Sequence, residues 1–315
     1  VAKASMQTGD DPTEQPTVSV VIVNYRAYAA LAACLDSLAP YLGADVEAHL
    51  VDHGADSRGG AVLQEGFRGL HLSSTSSNPG FAAGVNRAAR DARGRYLLLL
   101  NPDCVVHGDV AHTLAAWMDE HPEAGVVGGL VRESDGSLQQ SARRFPGPST
   151  GIAGRTSLLT RLWPDNPWSR RNLAAREDQR EPVEVDWVTG ACMMIRREAF
   201  DAVGGMDEGF FLYWEDADIC RRLRNAGWST FYFPAVGVTH LTGRSSRLAR
   251  TRSLVAFHRS AYRYYMKHGG RRARFAAPIV ALALCARLVL KLTAAYIDLG
   301  AHRARVRTAV GQTER

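Results

Sequence analysis

The sequence predicts an α/β protein built on a mostly parallel sheet with helices on both faces. Three observations predict it: short, continuously apolar runs rich in β-branched residues, helix-spaced segments that alternate with them, and polar clusters directly after the apolar runs. A strand buried on both faces reads as an unbroken apolar run, and strands alternating with helices join as parallel neighbours.

Residues 18–24 (Val-Ser-Val-Val-Ile-Val-Asn) read as the first strand. Residues 29–38 carry Leu31, Leu35 and Leu38 on one helical face, and Pro40 ends that helix. Residues 46–52 and 69–72 read as two further strands, and 81–93 as a helix stopped by Gly94. Residues 95–100 form the most apolar strand and end abruptly in Asn101-Pro-Asp103. A helix over 109–120 and a strand over 125–129 follow.

From 141 to 182 the periodicity fails; the stretch is rich in Arg, Pro and Trp and is expected to form a lid or acceptor loop. Regular structure resumes over 183–195. Residues 215–225 read as a helix with an acidic start (Glu215, Asp216, Asp218), a basic end (Arg221, Arg222, Arg224) and Gly227 as its stop. Two closing strands over 228–233 and 236–240 complete a domain expected to span 16–243. The first fifteen residues are polar and read as a disordered leader.

The chain has 315 residues, 46% hydrophobic and 22% charged, enough for a sizeable core. Its five cysteines are scattered without a CxxC pair, which reads as reduced thiols of an intracellular protein, not a disulfide framework or a zinc site. The net charge of +6 hides an asymmetry. Residues 244–315 hold 16 Lys+Arg against 2 acids, whereas the preceding 243 residues hold 22 against 30. A basic tail on an acidic body points to an anionic partner.

Residues 275–299 of that tail are largely apolar, interrupted by Pro278, Arg287, Lys291 and Asp298. Their longest uncharged run, 275–286, is too short to cross a bilayer. Arg287 and Lys291 share a helix face and can snorkel to head groups. The tail is therefore expected to be a basic amphipathic helical extension, held peripherally in the membrane plane at the cytoplasmic face. A soluble helix packed on the domain is the alternative. The apolar residues between the charge clusters argue against nucleic acid.

Ligands of an open parallel sheet collect at the carboxyl ends of its strands. Three polar clusters fall at such ends: Asn24-Tyr25, Asp52-His53 and Asn101-Pro-Asp103. Each alone is ordinary turn chemistry, but three on consecutive strands point to a site. Asn78-Pro-Gly80 precedes a helix and suits a phosphate approach, while no GxxxxGK or GxGxxG occurs, against a P-loop NTPase and a Rossmann dehydrogenase. Only three lysines occur, none in the sheet domain, against nucleotidyl transfer or hydrolysis of a nucleotide-sugar.

Taken in order, Val20-Val-Ile-Val-Asn-Tyr25, Asn78-Pro-Gly-Phe-Ala-Ala-Gly-Val-Asn86, Leu99-Leu-Asn-Pro-Asp103, Thr189-Gly-Ala-Cys-Met-Met-Ile195, Gly204-Gly-Met-Asp-Glu208, Tyr213-Trp-Glu-Asp-Ala-Asp218 and Val238-Thr-His240 resemble the motif series of family 2 glycosyltransferases. The resemblance covers about residues 16–243. Within the family the sequence most resembles bacterial rhamnosyltransferases that move rhamnose from dTDP-rhamnose to polyprenyl-diphospho-GlcNAc.

The resemblance implies a GT-A fold, inverting transfer from a nucleotide-sugar donor (dTDP-rhamnose, with a UDP-sugar as the alternative), a Mg²⁺ or Mn²⁺ ion and a lipid-linked saccharide acceptor. It places Asn24, Tyr25, Asp52, Asn78, Gly80, Asn101 and Asp103 at the donor, and gives Asp103 and His240 the metal. Asp216 becomes the general base, with Glu215 beside it. Trp187, Thr189, Gly190, Trp214, Arg143 and Arg144 become the acceptor side. Two departures stand out: Asn101 replaces the first acid of the metal motif, and His53 follows Asp52 where the family has Asp or Asn. A membrane-tethered, non-catalytic nucleotide-sugar scaffold is the competing reading, and self-association stays open.

Overall fold

The protein is seen in a computed structural model that describes residues 16–54, 67, 69–146, 163, 175–176, 178–241 and 247–313. The expected leader, most of the expected lid and the boundary at 243 lie outside the described residues. The first half contains β1 (Val18–Asn24), α1 (Tyr28–Leu38), β2 (Val46–His53), β3 (Leu70–Thr75), α2 (Phe81–Asp91), β4 (Tyr96–Leu100), β5 (Cys104–His107), α3 (Val110–Glu120) and β6 (Ala124–Glu133). Then come β7 (Ala142–Arg143), β8 (Val183–Val185), β9 (Trp187–Val188), β10 (Cys192–Arg196), α4 (Arg197–Ala202), α5 (Glu215–Asn225), β11 (Ser229–His240), α6 (Arg247–His268) and α7 (Gly270–Thr313).

The main sheet runs β3-β2-β1-β4-β10-β6-β11-β5, with β8 also paired to β11, and β7 pairs β9 in a separate ribbon. Strands β3, β2, β1, β4, β6 and β11 share one direction; β10, β5 and β8 run against them. The sheet is thus mostly parallel, as expected. Both faces of its centre are buried. Val20, Ile22, Leu98 and Leu100 join Leu31, Leu35 and Leu114 of α1 and α3 in one core, while Val21, Leu97 and Leu99 are buried on the other face. Each such side chain contributes roughly 2 kcal/mol of burial. On that second face, Gly84 of α2 lies so close to β1 that a Cβ there would stand 2.6 Å from the Val23 side chain.

Several expectations change. The two closing strands are one strand, β11, whose register against β6 shifts between Phe233 and Gly237. Pro234 lacks the N–H a ladder needs, so the strand bulges there and continues. Gly237 fits because a Cβ would collide with the Leu130 carbonyl. The short strands β5, β7, β8 and β9 carry too few residues for a periodic signal.

The chain forms two compact units. One carries the sheet, through Glu208 and again from Asp216; the other joins the Gly209–Glu215 loop to α6 and α7. Within the second unit, Ala273–Tyr296 is a 24-residue stretch of mean hydropathy 2.0, long and apolar enough to cross a membrane. The sequence reading stopped this run at Arg287. In the structure Arg287 turns to α6, its guanidinium 3.1 Å from His258 Nε2 and over the Phe257 ring. Phe275, Ile279, Leu282, Val289, Leu290 and Tyr296 are exposed along α7.

Candidate active site

Register brings the first two strand-end clusters together. Asn24 of β1 pairs with Asp52 of β2, and Asn24 Nδ2 donates to Asp52 Oδ1 at 2.8 Å. The Tyr28 hydroxyl, one turn into α1, donates to Asp52 Oδ2 at 2.9 Å. Asn24 and Asp52 are fully buried. Asp52 therefore spends both oxygens on protein donors and ties the end of β2 to β1 and α1. Tyr25 is exposed, its ring packed over Gly54. His53 is buried too, and its Nδ1 lies 2.8 Å from Thr75 Oγ1, whose own proton goes to the Ser77 carbonyl. Nδ1–H is thus the donor, and burial holds the ring neutral by lowering its pKa. This accounts for His53 where the family has a smaller polar residue: it ties the end of β2 to β3.

Asn78 and Gly80 begin α2. The Gly80 amide donates to Asn78 Oδ1 at 2.9 Å, and Gly80 has φ +107°, a conformation that favours glycine. Asn101 sits at the end of β4, its amide bonded to the Ala191 carbonyl and its carbonyl accepting from the Cys104 amide. That turn delivers Asp103.

Asp103 and His240 are 137 positions apart in the chain, yet the antiparallel pairing of β5 with β11 sets His240 opposite Cys104. His240 Nε2 lies 3.0 Å from Asp103 Oδ1, and both side chains are partly exposed. Cys104 lies near them, fully buried, and burial pushes its thiol far above the ordinary range. Burial works against the charged form of His240, but its bond to Asp103 and the charges of Asp103 and Glu133 win and raise its pKa. The motif series gave no sign of Gln139. Its Nε2 lies 3.2 Å from His240 Nδ1 and donates to Glu133 Oε1 at 3.0 Å. An imidazole is oriented by the partner of its other nitrogen, so Gln139 sets the aim of Nε2.

Asp216 lies in the first turn of α5. Its Oδ1 accepts from the Ala217 amide at 2.8 Å. Burial raises its pKa above the usual carboxylate range, opposed by that amide, by the Arg143 charge and by the Gly190 backbone. These causes place Arg143 and Gly190 beside it. Arg143 lies over the Trp187 ring, and Trp187 Nε1 donates to the Arg144 carbonyl at 3.0 Å. The Thr189 amide donates to the Ser141 carbonyl. Arg144 turns elsewhere, to Asp186 at 3.4 Å, an acid it shares with Arg224. Asp218 is fully buried and paired with Arg222 at 2.8 Å, one helical turn on, a structural ion pair.

The loop before α5 is strained. Tyr213 and Trp214 have φ +66° and +72°, left-handed conformations costing on the order of 1–3 kcal/mol each. Aromatic packing on α6 offsets this: Trp214 lies 5.7 Å from Phe257 and 5.2 Å from Tyr264, and Tyr213 lies 5.8 Å from Phe257. Such ring pairs contribute about 1 kcal/mol each beyond burial. The Ser260 hydroxyl donates to the Leu212 carbonyl at 2.9 Å, and Arg263 lies over the Phe210 ring. Glu215, next in the chain, is buried.

Comparison with known proteins places this arrangement. The profile of "Glycosyl transferase family 2" matches residues 19–204, and that of "Glycosyl transferase family group 2" matches 172–300. The chain is 33% identical over 265 residues to N-acetylglucosaminyl-diphospho-decaprenol L-rhamnosyltransferase of Mycobacterium tuberculosis, covering 80% of this chain and 85% of that protein. It is 30% identical over 184 residues to rhamnosyltransferase WbbL of Escherichia coli, covering 58% and 63%. Among solved structures, the mannosyltransferase PcManGT of Pyrobaculum calidifontis, in complex with GDP-Man and Mn²⁺, aligns with a TM-score of 0.51 at 17% identity over 93% of this chain and 81% of that one. GalNAc-T7 with UDP, GalNAc and Mn²⁺ aligns with a TM-score of 0.52 at 17% identity, covering 78% of this chain and 48% of that one. These likenesses carry the GT-A fold. The chain belongs to glycosyltransferase family 2, and it is a glycosyltransferase.

Proposed function

We propose that the enzyme transfers L-rhamnose from dTDP-rhamnose to a polyprenyl-diphospho-GlcNAc acceptor with inversion at the sugar carbon, in cell-wall or polysaccharide assembly. The observation that carries the chemistry is the Asp103–His240 pair, a carboxylate and an imidazole facing one another at 3.0 Å on the cleft side of β4. The substrates rest on the rhamnosyltransferase that is 33% identical over 85% of its length.

One carboxylate and one imidazole nitrogen fit a divalent ion and leave positions for phosphate oxygens. Mg²⁺ or Mn²⁺ held there supplies charge neutralisation to the departing diphosphate. Gln139 keeps Nε2 of His240 directed at Asp103. Asn24, Tyr25, Asn78 and Gly80 form the donor floor, with Asp52 acting through Asn24 and Tyr28. Asn101 sets the turn that presents Asp103.

Asp216 takes the proton of the acceptor hydroxyl as that oxygen attacks. Its raised pKa makes it a stronger base than a solvated carboxylate, and the Arg143 charge works against that rise. Attack from the base's side, opposite the leaving diphosphate, inverts the carbon, and no second carboxylate nucleophile is needed. Glu215, Trp214, Trp187, Thr189 and Gly190 shape the acceptor side. Arg143 and Arg144 are the arginines assigned to an acceptor diphosphate, Arg144 by leaving its ion pair with Asp186. The exposed apolar residues of α7 and the flanking arginines hold the enzyme to a membrane surface, where a polyprenyl acceptor keeps its sugar.

Calorimetry with dTDP-rhamnose and UDP-sugars, with and without Mg²⁺ or Mn²⁺, tests the donor. Metal-dependent binding of dTDP-rhamnose alone is expected. Preference for a UDP-sugar overturns the donor assignment, and failure of folded protein to bind either overturns the donor site.

A further inference from the structure

A second cluster of ligand-type side chains lies on the outer half of the sheet, away from the residues assigned above. In the parallel pairing of β2 with β3, His49 stands directly opposite His71. Their rings stack with centroids 4.8 Å apart. Glu47 precedes His49 by two residues and so projects from the same face of β2. One ligand atom from each of the three lies within 4.8 Å of the others. They line a cavity of about 380 Å³ together with Asp91 and Arg93.

The three side chains are not fully used by the fold. Glu47 Oε1 accepts from the Ser19 hydroxyl at 2.6 Å and from the Arg93 amide at 2.7 Å, which holds the carboxylate in place. Oε2 faces His71 Nε2 at 3.9 Å and the Arg93 guanidinium at 3.5 Å. His49 Nε2 is buried and lies 3.1 Å from Glu47 Oε1.

We infer that Glu47, His49 and His71 form a site for a zinc-class divalent cation, separate from the Asp103–His240 pair. Two imidazoles and a carboxylate are the donor set zinc favours over magnesium. Bonds of about 2.1 Å in a tetrahedron put neighbouring ligand atoms roughly 3.4 Å apart, so the three ligand atoms, all within 4.8 Å of one another, close on an ion by small side-chain shifts. His71 is largely exposed and opens the remaining position to solvent. Arg93 is the resident cation; its side chain is more than half exposed and yields when a metal enters. A bound ion ties edge strand β3 to β2.

The test uses the full chain carrying His240→Ala, which removes the other candidate site, stripped with a chelator and titrated with Zn²⁺ against a chromophoric competitor. One zinc per chain is expected, with a rise in Tm. Adding His71→Ala, an exposed position that leaves folding intact by circular dichroism, is expected to weaken zinc by about a hundredfold or more and abolish the Tm rise. Adding Arg93→Met instead is expected to tighten zinc. Failure of the His240→Ala chain to bind zinc, or equal zinc affinity with and without His71→Ala, overturns the site. Transfer activity of the His71→Ala chain with native His240 in Mg²⁺ is expected to match wild type, so this site and the proposed reaction fail separately.

Discussion

The strand ends of β1, β2 and β4 and the loop Gly209–Glu215 both place side chains of the proposed site, by opposite physical routes. Asn24 and Asp52 lie at the ends of buried strands and Asp103 follows one, and none of the three has a left-handed backbone. Tyr213 and Trp214 sit in left-handed conformations that their own sequence disfavours, held by Phe257, Ser260 and Tyr264 of α6. A strand-end residue is placed by local chain and sheet. A strained loop is placed by a helix some forty residues on. The C-terminal extension therefore holds the Tyr213–Trp214 backbone as well as carrying an apolar surface.

The sharpest way to separate the two regions is to remove chemistry from one and keep the other. Asp216→Asn is expected to lower turnover by about a thousandfold while donor affinity, measured by calorimetry, stays near wild type. Asp103→Ala or His240→Ala is expected to act on the other side, weakening metal-dependent donor binding by about a hundredfold.

If α6 holds the loop, Phe257→Ala is expected to reduce kcat roughly 10- to 100-fold through misplacement, with donor affinity unchanged. A matching loss of donor affinity breaks the comparison, because the loop then acts on the strand ends as well. A smaller effect concerns pH. Asp216 must be ionised to act, so turnover falls as pH drops through its raised pKa. Arg143 lowers that pKa; Arg143→Met is expected to move the acid limb of the kcat profile to higher pH. The smallest change is Gln139→Ala, expected to weaken Mn²⁺ affinity about tenfold through the loosened aim of His240.

Much of the sheet was legible in the sequence, because unbroken apolar runs locate buried strands, and the register then brings the residues at their ends, Asn24 and Asp52, together. The His240 partnership with Asp103 came only through the family motifs, since pairing of β5 with β11 leaves no periodic trace. Gln139 left none either: it lies in a turn after β6, and its role depends on where β11 ends. The single strand β11 read as two because Pro234 and Gly237 look like a turn until a neighbouring strand accommodates the bulge. The apolar length of α7 was underestimated because a sequence counts Arg287 as a charge, while the structure shows it folded against His258 and Phe257. The strain at Tyr213 and Trp214 had no sequence signal, since neither residue type favours that conformation.

The most direct measurement is transfer itself: the purified chain with dTDP-rhamnose, polyprenyl-diphospho-GlcNAc and Mg²⁺, product followed by mass and its anomeric configuration by NMR, beside Asp216→Asn. The account predicts one deoxyhexose added, linked with configuration opposite to the donor's, and almost none formed by the variant. Retained configuration, or undiminished transfer by Asp216→Asn, would contradict it.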